Sequence, residues 1–333
     1  MNLVLEMESS LEFWRRVYPL NRAPQGPVVL PRDEIACSGE DVSRLAPKWM
    51  TPQFLAQTDG RIHALAFSRE LRRNSSRHMT HTWSHPLPVA SFYQLNSNLF
   101  VCSPEYSFLA AASVLDFASL VALGDELCGL YSFDASASRG FRQREIALTS
   151  KAQLAAYVSK AGNCPGCDKA EAALGHIVDF SASPMETFDE MTISLPYRRG
   201  GYCVPVPEMN LEIPLNAKAA RIAKQATCRA DLCWRDLMLV IEHLGQYDHA
   251  RPDRMISDRA RTNALREMGF EVIELTGSLV GDLTAYEYIV QHIAARHGKR
   301  IKPQHRGALP QRVALRNTLF RWNDSYGAVR SRD

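Results

Sequence analysis

Apolar and polar positions form their clearest pattern in residues 229–249, RADLCWRDLMLVIEHLGQYDH. Two short apolar segments are separated by a polar turn near Asp236, and this arrangement predicts a β-hairpin. The second segment contains a continuous apolar run, residues 238–241, of the kind found in strands that are covered on both faces. Each segment carries one acid, Asp231 or Glu242, and the hairpin register sets the two carboxylates side by side.

The pattern after this hairpin predicts a helix and a further strand. Apolar residues recur at helical spacing from Met255 to Met268, Gly269 is placed to end the helix, and residues 270–275 form the next strand. The polar face of the helix has a basic excess, which suits a phosphate backbone. A solvated face with intrahelical ion pairs explains the excess equally well. The candidate nucleic-acid contacts on this helix are Arg254, Arg259 and Arg261.

The first 150 residues predict a mixed, mainly helical region. Residues 11–20, LEFWRRVYPL, have the spacing of a short amphipathic helix, and a proline-rich arm follows them. One or two short helices are expected in residues 39–57. Residues 61–73 mix strand-like and helix-like spacing, so we identify no helix-turn-helix there.

Composition is that of a globular protein with room for two cores. The chain has 333 residues, of which 46% are apolar and 23% charged. Its most apolar stretch, residues 108–131, is interrupted by Asp116, Asp125 and Glu126, so we expect no membrane span and no membrane partner. The N-terminal residues lack the pattern of a secretory signal, and we therefore expect a cytoplasmic location.

Basic charge is concentrated at the C-terminus, in the segment 298–333 that we treat as a basic tail. Residues 296–333 contain ten Lys or Arg and two Asp, although the net charge of the whole chain is only +3. The tail also holds Phe320, Trp322 and Tyr326, so it offers phosphate contacts together with stacking surfaces. Packing of its apolar residues back onto a domain is an equally good explanation. The candidate nucleic-acid contacts of the tail are Lys299, Arg300 and Lys302.

The eight cysteines give only a weak metal signal. Cys164 and Cys167 form a C-P-G-C pair, but no second pair with matching spacing follows. We therefore do not expect a structural zinc site, for which Cys203 or His176 would be the additional ligands. Disulfides are not expected in a cytoplasmic chain either, so the cysteines should be buried thiols.

A histidine-rich segment gives a second weak metal signal. His78, His81 and His85 are closely spaced, but several arginines precede them. We interpret the segment as a polar loop that leads into a strand.

The order of the C-terminal elements resembles the PD-(D/E)XK nuclease superfamily, and more closely its very-short-patch-repair-like endonuclease domain. A leading helix with a glutamate, two acid-bearing strands, and a D-x-x-R-x-x-x-L-x-x-x-G helix follow one another within residues 161–297. The matching residues are Ser183, Pro184, Met185, Glu186, Asp231, Leu232, Glu242, His249, Asp258, Arg261, Leu265 and Gly269. The resemblance implies an α/β (α+β) fold in which a restriction-endonuclease-like mixed sheet is flanked by helices.

The resemblance also implies metal-dependent hydrolysis of phosphodiester bonds in DNA. Asp231 and Glu242 would bind Mg²⁺ or Mn²⁺, and Glu186 would support them from the leading helix. Gln246 or His249 would orient water or a phosphate group. Hard carboxylate oxygens suit Mg²⁺, which takes one or two protein carboxylates and keeps several waters.

One position departs from the superfamily pattern. Leu244 stands where the superfamily commonly has Lys and this subfamily often has Asp. A missing Lys removes a group that stabilises charge in the transition state or helps to position the attacking water. Gln246, His243 or His249 are possible substitutes, and loss of cleavage with retention of the fold is the alternative.

A second resemblance covers residues 78–131, which are similar to the helical core of abortive-infection AbiE-type antitoxins. The pattern is a strand pair, an S-P-x-x-x-[FL]-L motif and two helices. The motif residues are Ser103, Pro104, Glu105, Phe108 and Leu109, continued by Ala111, Ala112, Leu115, Leu120, Leu123 and Leu127. This resemblance implies a nucleic-acid-binding regulator with a protein partner of the toxin-antitoxin type, whereas two core helices are the simpler interpretation. Oligomeric state stays open.

Overall fold

The computed structural model describes residues 1–17, 25–30, 35, 38–56, 58–244, 252–301 and 308–325, with backbone alone for residues 17, 25 and 252–258. The chain divides into two compact units. The first unit contains residues 1–177 and the segment from residue 321, and the second contains residues 178–320. Both units combine helices with strands, so the mixed α/β class is confirmed.

A six-stranded mixed sheet lies in the first unit, within the described residues. Its strands are β1 (Leu3–Leu5), β2 (Gln25–Val28), β3 (Ile62–Ala66), β4 (His78–Thr82), β5 (Phe92–Asn96) and β6 (Leu99–Cys102). The order is β2-β5-β6-β1-β3-β4, with β1 parallel to β6 and β3 parallel to β4. The N-terminal region is therefore mixed, since it contains this sheet, whose short strands pair with partners that are distant in the sequence, together with helices.

The helices of the first unit lie between and after these strands in the sequence. Most of them are where the periodicity predicts helices. They are α1 (Met7–Glu12), which continues as a π-helical turn (Phe13–Val17), α2 (Gly39–Leu45), α3 (Pro52–Leu55), α4 (Pro104–Ala112), α5 (Phe117–Cys128), α6 (Lys151–Ala161) and α7 (Cys167–Leu174); a hairpin of β7 (Tyr131–Phe133) and β8 (Phe141–Gln143) follows α5. Ser103 caps α4 by accepting a hydrogen bond from the Tyr106 N–H at 3.1 Å. The strand pair and paired helices expected in residues 78–131 are therefore present.

One expectation about the first unit is wrong. Cys164 and Cys167 form a disulfide, because the turn between them brings their Cα atoms to 5.5 Å. The histidine-rich segment leads from a loop into a strand, as expected: residues 72–77 are a loop, and His78 and His81 lie in β4, whose residues 78–82 pair in parallel with residues 62–66.

A four-stranded sheet lies in the second unit, again within the described residues. Its strands are β9 (Glu208–Pro214), β10 (Thr227–Trp234), β11 (Leu239–Leu244) and β12 (Glu271–Thr276), in the order β12-β11-β10-β9. The helices of this unit are α8 (Pro184–Ser194), α9 (Ala217–Ala223), α10 (Pro252–Glu267), α11 (Gly277–Gly281), α12 (Leu283–Arg296) and the part of α13 (Ala308–Asp324) up to Phe320. No helix of the described residues is both long and apolar enough to pass through a lipid bilayer.

The predicted hairpin is confirmed. Strands β10 and β11 are antiparallel, with Leu232 opposite Ile241 and Cys233 opposite Val240. A 3₁₀ turn (Arg235–Leu237) joins them. Helix α10 and strand β12 follow, as the periodicity predicts, and β12 pairs in parallel with β11. Gly269, with a φ of 92°, ends the helix because a left-handed residue is needed there.

Helix α13 of the basic tail is packed against the rest of the protein. For the residues of this helix, packing onto a domain therefore explains the composition better than nucleic-acid contacts do. Arg312 is buried, donates to Glu287 Oε1 at 2.7 Å and lies over the Tyr202 ring. Arg316 is also buried and donates to the Val280 carbonyl, and Trp322 is 4% exposed. These cations are therefore not available to phosphates.

Candidate functional site

The start of helix α8 holds the first carboxylate of the candidate site. Ser183 Oγ accepts a hydrogen bond from the Glu186 N–H at 3.2 Å, and Glu186 Oε2 accepts one from the Ala182 N–H at 2.8 Å. This reciprocal arrangement resembles a capping box and fixes the glutamate in the first helical turn. As a result the Glu186 side chain is buried although it is acidic.

Strand β9 contributes a second support for Glu186. Asn210 Nδ2 donates to Glu186 Oε2 at 2.5 Å and to the Phe180 carbonyl at 2.9 Å. Asn210 has a φ of 47°, a left-handed conformation that asparagine tolerates better than most residues. Local backbone strain of this kind is found at functional sites, where surrounding contacts hold it.

The hairpin brings the two predicted acids together. The register places Asp231 opposite Glu242, one residue beyond the pair Leu232 and Ile241. Asp231 Oδ2 accepts a hydrogen bond from the His243 N–H at 2.8 Å. Glu242 is 1% exposed, and its Oε2 accepts from Arg261 at 2.6 Å. Its Oε1 has no hydrogen-bond partner among the described residues.

Helix α8 also carries an acid that the sequence patterns did not single out. Asp189 is fully buried, its Oδ2 lies 2.9 Å from His243 Nδ1, and its Oδ1 accepts from the Tyr286 hydroxyl at 3.1 Å. Successive strand residues point to opposite faces, so Glu242 meets Arg261 while His243 meets α8. The available signal was spacing, because Asp189 stands three residues after Glu186 on one helical face.

Burial and mutual repulsion dominate the electrostatics of the site. Burial raises the pKa of Glu186 to about 8, and the negative charge of Asp231 acts in the same direction. Burial and Asp231 likewise raise the pKa of Glu242 to about 8, although Arg261 opposes them. The pKa of Asp231 is raised as well, chiefly by burial. Asp231 is therefore the centre of a carboxylate cluster in which burial and mutual repulsion disfavour the charged forms.

A cation is also held in the cluster through His243. Burial alone would lower the pKa of this imidazole, but the hydrogen bond and charge of Asp189, together with the charge of Asp231, raise it. The ring is thus favoured in its protonated form, in which both nitrogens are donors. No partner among the described residues takes its Nε2, so this N–H can serve a bound group.

The carboxylate set fits a hard divalent cation. Its donors are all oxygen, and one of them, Glu242 Oε1, has no hydrogen-bond partner among the described residues. Within the described residues, oxygens of Glu186, Asp231 and Glu242 do not all come within 4.8 Å of one another. That spread agrees with Mg²⁺, which needs only one or two protein carboxylates.

The remaining predicted site residues are more dispersed. Arg261 is engaged by Glu242, Lys299 donates to the Cys203 carbonyl at 3.3 Å, and Arg259 and Arg300 are exposed. Leu244 is the last residue of strand β11. The predicted residues whose side chains lie outside the described part are Gln246, His249, Arg254 and Lys302.

Comparison with protein-family models, with curated proteins and with solved structures finds no match for this chain.

Proposed function

We propose that the second unit is a Mg²⁺-dependent endonuclease that hydrolyses phosphodiester bonds in DNA, with Mn²⁺ as an alternative ion. The observation that carries this proposal is the buried carboxylate cluster around Asp231, in which the pKa of both neighbouring glutamates is raised to about 8. Structural acids are usually paired, whereas perturbed acids with too little compensating charge are typical of functional sites. The order of helix, hairpin, helix and strand supports the same function, because it matches the order of elements on which the nuclease resemblance rests.

The roles follow from the contacts. Asp231 and Glu242 are the proposed ligands, since they are adjacent across the hairpin and Glu242 Oε1 is unpaired among the described residues. Mg²⁺ bound there supplies Lewis-acid activation of the phosphate and a more acidic water. Glu186 adds negative charge from α8, and Asn210 orients it.

His243 is the proposed replacement for the missing lysine. It follows Glu242 directly, is held by Asp189 at 2.9 Å, and is favoured as a cation. A protonated imidazole can donate a hydrogen bond to a phosphate oxygen or a proton to the leaving oxygen. Leu244 therefore does not by itself remove cationic support from the site. Arg259 and Arg300, both exposed, are the proposed backbone contacts.

The test compares isosteric variants on several substrates. Purified wild type, Asp231→Asn and Glu242→Gln are incubated with linear, supercoiled and mismatched DNA, and with RNA, in Mg²⁺ or Mn²⁺. Glu212→Gln is the matched control, because Glu212 is an exposed acid on the neighbouring strand β9. We expect cleavage by wild type and control and a loss in both site variants. Equal cutting by all four proteins would contradict the assignment.

A second candidate function is favoured by the Arg261–Glu242 ion pair of 2.6 Å. An internal guanidinium can compensate the charge that a metal would otherwise balance, as expected in a nuclease fold that holds nucleic acid without cutting it. In that case the chain is a regulator of the AbiE antitoxin type with a protein partner. Salt-sensitive DNA binding by wild type, without cutting in Mg²⁺ or Mn²⁺, would favour this function.

A further inference from the structure

Three ligand-type side chains converge in the first unit, away from the residues discussed above. Glu8 lies in the first turn of α1, Asp59 precedes β3 and His63 lies within β3. His63 Nε2 is 2.9 Å from Asp59 Oδ1 and 3.9 Å from Glu8 Oε2, and one ligand atom from each residue lies within 4.8 Å of the others. Two ligands on one tetrahedral Zn²⁺ are about 3.3 Å apart, so the observed separations bracket that value.

Each of these side chains is oriented by a further hydrogen bond. Arg61 Nε donates to Asp59 Oδ2 at 2.6 Å, and the Arg61 N–H donates at 3.1 Å to Oδ1, the oxygen that faces His63. The Asp59 N–H donates to Glu8 Oε2 at 3.0 Å. His63 Nδ1 lies 2.8 Å from His81 Nε2, and the two rings stack with centroids 5.0 Å apart. Outer hydrogen bonds of this kind, including one from the second imidazole nitrogen, are usual around protein metal ligands.

Burial and charge are also consistent with a bound dication. His63 is fully buried and Glu8 is 3% exposed, while the Asp59 side chain, at 21%, opens the cluster to solvent. Glu8 and Asp59 supply two carboxylates, one of which also pairs with Arg61, so together they offset part of the charge of a divalent ion.

A second observation concerns Glu6, a buried carboxylate beside this cluster that lacks a cation or hydrogen-bond donor at one oxygen among the described residues. Glu6 is 3% exposed, and its Oε2 has no hydrogen-bond partner among the described residues. It lies 3.8 Å from His81 Nε2, the same nitrogen that contacts His63. Glu6, His81 and Trp83 also line a cavity of about 200 Å³.

We propose that Glu8, Asp59 and His63 form a binding site for a divalent transition-metal ion, with Zn²⁺ as the best fit. A mixed nitrogen and oxygen set suits Zn²⁺ better than Mg²⁺, which prefers oxygen alone. Three protein ligands leave a fourth position, on the exposed side of Asp59, for water or an exogenous group. His81 then accepts the Nδ1–H of His63 and holds its ring in the metal-binding tautomer.

The test uses the full-length protein stripped with a chelator and retitrated with Zn²⁺ by calorimetry and with Co²⁺ by visible absorption. Wild type is expected to bind one equivalent with a four- or five-coordinate cobalt spectrum. Asp59→Asn is expected to weaken Zn²⁺ binding on the order of 100-fold, since losing even an outer partner costs 10- to 100-fold. His292→Gln is the matched control, because His292 pairs with the single carboxylate of Glu271 at the surface.

Two controls distinguish ion binding at this site from ion binding by the second unit and from a loss of folding. All titrations are repeated on Asp231→Asn, so that ions held by the second unit are counted separately. Circular dichroism checks that Asp59→Asn is folded, and the cobalt spectrum of wild type needs no variant. Absence of a one-equivalent cobalt signal from wild type would overturn the proposal, as would equal Zn²⁺ affinity in wild type and folded Asp59→Asn.

Discussion

Both units of the protein place a histidine against buried carboxylates, but the histidines are used differently. In the second unit Asp189 engages Nδ1 of His243, and Nε2 has no partner within the part of the chain that the structure describes. In the first unit both nitrogens of His63 are engaged, one by Asp59 and the other by His81. The Nε2 of His243 therefore suits proton donation, whereas the Nε2 of His63 faces the carboxylates of Glu8 and Asp59 while His81 holds Nδ1, which suits ligation of a metal ion.

The pKa values of the carboxylates also differ between the two units. Burial acts to raise the pKa of Asp59, but hydrogen bonds from Arg61 and His63 lower it to about 2. In the second unit the pKa of Glu186 and of Glu242 is instead raised to about 8. The first cluster therefore presents an ionised ligand in advance, while the second holds acids that need an added cation. This contrast distinguishes the proposed N/O metal site of the first unit from the proposed Mg²⁺ site of the second.

Replacing His243 should produce the largest change. His243→Ala removes the cation that stands in for the missing lysine, and the rate of DNA cleavage is expected to fall on the order of 100-fold. Asp189→Asn should cause a smaller loss and shift the basic limb of the pH–rate profile to lower pH, because it removes charge that keeps the imidazole protonated. Single-turnover rates across pH 5.5–9 measure both effects. An unchanged profile in Asp189→Asn would remove the proposed positioning role.

Arg261→Ala should have the next largest effect, on stability. It leaves the buried Glu242 without its partner and is expected to lower the free energy of unfolding by about 2 kcal/mol in the absence of metal. Added Mg²⁺ should recover part of that loss. Urea unfolding with and without Mg²⁺ measures it, and Arg266→Ala, whose exposed partner is Glu274 at 3.4 Å, is the control. Equal destabilisation by the two variants would contradict the role of the buried pair.

Changing pH should test the contrast between the two carboxylate clusters in the wild-type protein, through its stability. Because the pKa of Glu186 and Glu242 is raised in the fold, these groups keep protons that the unfolded chain releases above pH 4.5. Stability of the metal-free protein should therefore fall as pH rises from 6 to 7.5, by about 1.4 kcal/mol per pH unit for each retained proton. Asp231→Asn should flatten the slope. Stability that instead rises over this range would contradict the assigned shifts.

Altering His81 should give the smallest change and affect only the first unit. His81→Phe keeps an aromatic ring but removes the hydrogen bond to His63, so Zn²⁺ affinity is expected to fall about 10-fold. Calorimetric titration measures this, with His85→Phe as the control. An unchanged affinity in His81→Phe would show that His81 does not orient the ligand.

Local patterns predicted the second unit well because its key contacts are close in sequence. The hairpin joins Asp231 and Glu242 through a turn of a few residues, and the apolar run of β11 marks a covered strand. Helix α10 and its terminating Gly269 follow from periodicity and glycine conformation. The contact between Asp189 and His243 spans 54 residues, so no local signal could reveal it.

The first unit was harder because its sheet is assembled from distant, short strands. Strand β1 has three residues and pairs with β6, almost one hundred positions later, as in Leu3 with Leu99. Composition was also misleading for the tail, since Arg312 and Arg316 look like exposed cations in the sequence but are buried on aromatic rings. Charge counts do not report which cations have internal partners.

Asn210 limits how the second unit can change during evolution. Its backbone requires a residue that accepts a left-handed conformation, which in practice means glycine, asparagine or aspartate. Its side chain must also donate hydrogen bonds to a carbonyl and a carboxylate, which glycine and aspartate cannot do. A saturation library at this position should therefore retain asparagine almost alone, and any lineage that loses it must rebuild the support of Glu186 elsewhere.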